Sequence, residues 1–167
     1  MTQPFVAVLM GSDSDLPVLE ACFAVLKSLD IPFEARITSA HRTPAVTQQY
    51  VVDADQRGCG VFIAAAGMAA HLAGAVAANT VKPVIGIPIN ASLDGLDALL
   101  STVQMPAGIP VAAVAIGKAG AKNAAYLAAQ MLSLSDTQLA ERLRNDRAAN
   151  AEAVLEKNAA LQEQLQG

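Results

Sequence analysis

The chain is predicted to fold as a doubly wound parallel α/β sandwich, and three observations carry that reading. Five short, β-rich apolar runs alternate with helical patterns; most of the runs are apolar on both faces; and the core residues are mainly Ala, Val, Leu and Ile. The 167 residues are 53% hydrophobic but only 4% aromatic, with no Trp, which suits close packing of helices on a sheet. This length fits one domain with a sizeable core. The expected architecture is a three-layer sandwich of flavodoxin or Rossmann type.

The first strand is Phe5-Val-Ala-Val-Leu-Met10, bounded by Gly11. A helix follows a cap at Asp15 and a Pro at 17, with Leu19, Cys22, Phe23 and Leu26 at helical spacing. Residues 33–38 form the second strand. Thr43 and Pro44 then open a helix over 43–57 that stops at Gly58, a natural left-handed terminator. The third strand, 61–66, stops at Gly67 and leads into an Ala-rich helix over 69–79. A fourth strand, 83–87, ends at Pro88. The segments 93–97 and 103–110 read as loops rich in Gly and Pro, of the kind that shape a pocket rim or a subunit contact. The fifth strand spans 111–116 and its helix 120–132.

Ser135 with Gln138 makes a capping box for a helix running from Asp136 towards Gln166. Its apolar positions are sparse among charges and amides. Residues 1–135 are therefore assigned to the α/β domain, and 136–167 to a C-terminal helix expected to pack on a neighbouring subunit.

Composition excludes several functions. Net charge is −4, from 11 basic and 15 acidic residues, with no basic stripe, which argues against nucleic-acid binding. Cys22 and Cys59 lack metal-ligand spacing and read as reduced, packed thiols. The start of the chain shows no signal-peptide pattern and no run is long enough to span a bilayer, so a soluble cytoplasmic protein without membrane contact is expected. Gly117-Lys118 lacks the Walker spacing, no GxGxxG follows the first strand, and two histidines without clustered Cys or carboxylates do not suggest a metal.

Three strand ends carry candidate chemistry. Ser39-Ala-His-Arg-Thr-Pro44 places His41 and Arg42 on a strand-to-helix loop, where open parallel sheets bind ligands. A histidine beside a guanidinium suits proton transfer on an anionic substrate. Gly11-Ser-Asp-Ser-Asp15 allows a tight turn, and the hydroxyls of Ser12 and Ser14 with helix N–H groups make an anion cradle. Asp15 can cap the helix or bind sugar hydroxyls. Ala64-Ala-Ala-Gly-Met-Ala-Ala-His-Leu72 offers small residues for close approach of a flat ligand, with Gly67 free to take positive φ. His71 falls inside the following helix pattern and by itself fits a hydrogen-bonded buried histidine better than a catalyst.

Together with Asp94-Gly-Leu-Asp-Ala-Leu99, Val103-Gln-Met-Pro106 and Ala115-Ile-Gly-Lys-Ala-Gly120, these stretches resemble the bacterial-type 5-(carboxyamino)imidazole ribonucleotide mutase family over about residues 5–135. The resemblance implies an isomerase of de novo purine biosynthesis with no metal or organic cofactor. It would move a carboxylate from the exocyclic amine of a ribonucleotide to a ring carbon. By motif, His41 is implied as general acid and base. Ser12, Asp15, Ser39, Arg42 and Gly67 are implied in ribonucleotide binding, with Gly11, Ser14 and His71 beside them. The family forms homo-octamers with active sites at subunit contacts. This sequence departs from the family's common pattern by Ala65 and Met68 in place of Gly, and by Ala73 in place of Pro. The competing readings are the related carboxylase, which uses free carbon dioxide, and a nucleotide-binding sensor without turnover. Arg42 or the first helix's N–H groups can hold phosphate, and Asp15 the ribose hydroxyls.

Overall fold

The computed structural model describes residues 4–166; residues 1–3 and Gly167 lie outside them. A five-stranded parallel sheet has the order β2-β1-β3-β4-β5. The strands are β1 (Phe5–Met10), β2 (Phe33–Ile37), β3 (Cys59–Gly67), β4 (Val84–Ile89) and β5 (Ala112–Ala113). The helices are α1 (Leu16–Ser28), α2 (Pro44–Gln56), α3 (Leu72–Ala77), α4 (Leu96–Val103), α5 (Gly117–Ser133) and α6 (Thr137–Gln166). This is the flavodoxin-like order, as the alternation of strand and helix predicts.

The period of two along each strand divides the sheet between two cores. Val6, Val8 and Met10 of β1, with Val61 and Ile63 of β3 and Ile85 and Ile87 of β4, face α1 and α5. Ala7, Leu9, Phe62, Ala64 and Val84 face the other way, onto α2 and α3. Both faces are covered, and β1, β3 and β4 are apolar throughout, while the edge strand β2 carries the charged Glu34 and Arg36. Ala121, Ala124, Ala125, Ala128 and Ala129 of α5 are fully buried, and their small side chains bring that helix close to the sheet. Cys22 and Cys59 are buried free thiols; desolvation pushes Cys22 up to about 12 and Cys59 up to about 11. Among the described residues, no helix is long and apolar enough to cross a membrane.

Several boundaries differ from expectation for physical reasons. Segment 93–97 is not a loop: a short 3₁₀ turn over Leu93–Gly95 runs into α4. Leu96, Leu99, Leu100 and Val103 carry a helical spacing that the flanking Gly95 and Pro106 mask. Strand β4 continues through Pro88. The Gly86 carbonyl accepts from the Val114 N–H on the β5 side. Two residues on, Pro88 faces that same side beyond the end of β5, where a missing N–H breaks no ladder bond. β5 is short, and α5 starts at Gly117 rather than Gly120. Helix α3 spans six residues rather than eleven. The cap of α6 is Asp136, whose Oδ1 accepts from the Leu139 N–H at 3.0 Å, while Ser135 Oγ donates back to the Leu132 carbonyl.

Gly120 sits where an added Cβ would collide with the Ala115 carbonyl oxygen. Gly120→Ala is therefore expected to destabilise by about 2–3 kcal/mol through overpacking, against the usual helix preference for Ala. Thermal unfolding should show a melting temperature lower by about 4–12 °C; an unchanged or raised value would contradict the close approach.

Candidate active site

The C-terminal ends of β1, β2 and β3 open onto a cavity of about 440 Å³, at the crevice where the strand order reverses. Every residue predicted for the site lines it: Gly11, Ser12, Ser14 and Asp15 after β1, Ser39, His41 and Arg42 after β2, and Gly67 and His71 at the end of β3 and just beyond. Ala40, Met68, Leu72 and Ala91 also line it. Ala91, beyond β4, carries no chemical signal in the sequence.

The loop after β1 is a capped 3₁₀ turn. Ser12 Oγ accepts from the Ser14 N–H at 3.2 Å, and Asp15 Oδ2 accepts from the Ser12 N–H at 3.2 Å. The reciprocal capping box thus starts at Ser12; Asp15 makes no side-chain bond to α1, although Pro17 stands in that helix's first turn as expected. Asp15 is 7% exposed. Burial raises its carboxyl above the ordinary carboxylate range, against the lowering effect of the Ser12 and Gly11 N–H groups. The Ser14 hydroxyl donates to Ser12 Oγ at 2.9 Å at the exposed mouth.

The loop after β2 is held from beneath by hydroxyls. Thr38 and Thr47 are buried, with Oγ1 atoms 2.6 Å apart, and Thr43 Oγ1 accepts from the Ser39 N–H at 2.9 Å. Thr43 therefore supports the loop rather than capping α2 by its side chain. Thr47 Oγ1 also lies 3.1 Å from the Thr43 carbonyl. Ser39 Oγ accepts from the Arg42 N–H at 3.1 Å, and Arg42 Nη2 donates to the Gly11 carbonyl at 3.3 Å, tying the β1 and β2 loops together. Thr47 was not legible as a supporting residue, since a lone Thr within a helical pattern gives no signal.

His41 Nε2 lies 2.7 Å from His71 Nδ1, with the rings edge to face at 84° and centroids 4.9 Å apart. One nitrogen donates the shared hydrogen and the other accepts it. His71 is neither buried nor inside the helix; it is exposed, at the N-cap position of α3. The loops after β2 and β3 thus join two imidazoles across the crevice, beside one guanidinium, two hydroxyl-bearing turns and a buried carboxyl.

A family model for AIR carboxylase matches residues 5–153. The chain belongs to the AIR carboxylase family. It is 49% identical over 155 residues to N5-carboxyaminoimidazole ribonucleotide mutase of Bacillus subtilis, covering 92% of this chain and 96% of that one. It is 52% identical over 161 residues to the Mycobacterium tuberculosis protein of the same name, covering 96% and 91%. The crystal structure of Treponema denticola PurE superposes with a TM-score of 0.86 at 32% identity, covering 95% of this chain and 98% of that chain. Within this AIR carboxylase family fold, Met68 takes φ 54°, the left-handed region that a glycine occupies at no steric cost.

Because burial raises the Asp15 carboxyl in the folded state, its ionisation opposes folding. That stability is present below the ordinary carboxylate pKa and is lost as pH rises through the raised folded value. Asp15→Asn, which keeps an acceptor for the Ser12 N–H, should melt higher than the wild type near pH 7, and the difference should shrink as pH falls below the ordinary carboxylate pKa. Melting curves at neutral and acidic pH test this; a lower melting temperature at neutral pH would show that the ionised carboxylate stabilises the turn.

Proposed function

We propose that this chain is an isomerase of purine biosynthesis. It would convert 5-(carboxyamino)imidazole ribonucleotide to 4-carboxy-5-aminoimidazole ribonucleotide, with His41 as the acid and base. The observation that carries the reading is the His41–His71 pair, 2.7 Å apart, in a cavity that also holds Arg42, Ser12, Ser39 and Asp15. The names of the relatives support the same substrate.

The chemistry follows from these groups. A proton from His41 to the carbamate promotes cleavage of its nitrogen–carbon bond, releasing carbon dioxide and an electron-rich aminoimidazole. The ring carbon then attacks the trapped carbon dioxide, forming a carbon–carbon bond. The imidazole, now neutral, removes the ring proton and restores aromaticity. The proton given in the first half is recovered in the second, so the cycle balances. The bond to His71 orients the His41 ring for both halves. Arg42, Ser12 and Ser14 bind the phosphate and Asp15 the ribose hydroxyls, while Ser39 and the Gly67 and Gly11 backbones complete the pocket. The apolar Ala40, Ala66 and Ala91 give the carbon dioxide a wall with no nucleophile.

The test is turnover of freshly prepared carboxyamino substrate without added bicarbonate, followed by the ultraviolet absorbance of the product. Wild type should convert it faster than it decarboxylates spontaneously. His41→Asn should lower turnover by at least about 10²–10⁴-fold while ribonucleotide binding survives. Activity restricted to the decarboxylated ribonucleotide with bicarbonate would instead identify a carboxylase, and binding without conversion a sensor.

The reading extends to assembly as a cytoplasmic homo-octamer. Helix α6 is anchored by Leu139, which is 1% exposed, and by Arg142 Nε donating to the Leu29 carbonyl at 2.9 Å. Further along, Val154, Leu155, Leu161 and Leu165 are exposed, a face that suits a neighbouring subunit. Removing residues 151–167 keeps the anchor and the Tyr126–Asp146 hydrogen bond. Sedimentation velocity should give an octamer for the full chain and a smaller species for the truncation; an unchanged assembly would refute this role for the tail.

A further inference from the structure

We propose that Met68 is a specificity-determining residue whose thioether side chain covers the face of the substrate's aromatic base, an inference that rests on the ribonucleotide reading above. Met68 is a large apolar side chain left 62% exposed, and it lines the cavity. Its exposure is imposed by its neighbours. Just before it, Gly67 presses against the β4 end so closely that an added Cβ would lie 3.1 Å from Ala91 Cβ and 3.3 Å from the Ile89 carbonyl oxygen. Two residues after it, Ala70 is 1% exposed. The turn between these fixed points holds Met68 at φ 54°, a conformation that costs an L-residue free energy and that the side chain cannot relax by sinking into the core.

The rest of the rim explains what this side chain meets. Ser12, Ser14, Ser39, His41, Arg42 and His71 offer hydrogen bonds and charge, which suit the phosphate, the ribose and the reacting edge of the base. Leu72 is buried at 2% exposure, and the remaining apolar liners are alanines. An imidazole has two faces that make no hydrogen bonds. Met68 alone among the lining residues is long, flexible and apolar enough to lie over one of them, and sulfur–aromatic contacts favour that placement. Covering the ring also covers the carbon that is recarboxylated, so the same side chain hinders loss of carbon dioxide to water.

The test compares two ligands on three proteins by calorimetry: aminoimidazole ribonucleotide, which has the base, and ribose 5-phosphate, which lacks it. Met68→Gly removes the side chain and relieves the backbone, so its melting temperature should rise by about 2–4 °C, which separates lost contact from lost folding. Its affinity for the ribonucleotide should fall about three- to tenfold, with ribose 5-phosphate unchanged within about twofold. Met68→Gln, of similar length but polar, should lose a comparable factor for the ribonucleotide alone. The carboxyamino substrate should also leak more decarboxylated ribonucleotide on Met68→Gly than on wild type. Equal losses for both ligands, or none, would overturn the proposal. A wild type that binds both ligands but does not isomerise the carboxyamino substrate would defeat the proposed activity, while a base-dependent loss on Met68→Gly would still support the contact.

Discussion

Strand β1 lies between β2 and β3, and the chain leaves the C-terminal ends of β1 and β3 for opposite faces of the sheet, into α1 and α3. α1 crosses to β2 on one side and α2 returns to β3 on the other, so no helix fills the space above the ends of the three strands. A parallel sheet with both faces covered must leave such a crevice where its order reverses. The cavity is therefore a consequence of topology before any catalytic residue is considered. The three loops add chemistry to a gap that already exists, and each is short because its strand and helix are already in place.

The price of the chemistry is visible in local conformations that the surrounding packing has to enforce. A carboxyl is buried at Asp15, a methionine holds a left-handed backbone, and two imidazoles stand exposed in contact. None of these would persist in a loose loop. Asp15 is fixed by the Ser12 N–H, and Met68 by the packing of Gly67 on Ala91 and the burial of Ala70. His41 stands on a loop seated over the Thr38–Thr47 hydroxyl pair, where each hydroxyl has a partner and neither burial leaves an orphan.

How much of this was legible follows from the nature of each signal. Strand β1, helices α1 and α2, and the apolar third strand declare themselves by period and by their Gly and Pro boundaries. Helix α4 does not, because it is short and its own periodic residues sit between turn signals. Pro88 reads as a strand end in one dimension, and only the absence of β5 beside it makes it tolerable. The residues that line the cavity were legible because polar side chains cluster at strand ends. Their contacts were not. Nothing in the spacing of His41 and His71, thirty residues apart, says that their rings touch, and the period that placed His71 in a helix gave no hint of its exposure. The supporting Thr47 and the lining Ala91 carry no signal, since their roles arise from what lies next to them.

That contact between the imidazoles ties the geometry of the cavity to the sheet's register. Met10 stands level with Ile37 on one side and with Ala65 on the other, so β1 and β2 end at the same height and β3 runs two residues further before its loop begins. The ladder shifts once, between Phe5 and Val6, at the opposite end of β1, and the register stays regular from there to the site. A slip of one residue displaces a strand by about 3.3 Å and turns its side chains to the opposite face. The hydrogen bond between His41 and His71 spans 2.7 Å and tolerates only tenths of an ångström. Such a slip would exchange Val8, Ile63 and Ile85, packed against one helix layer, with Leu9, Phe62 and Val84, packed against the other, and the close packing of the two cores opposes it. The packing that keeps the sheet in register thus also holds the two imidazole rings together.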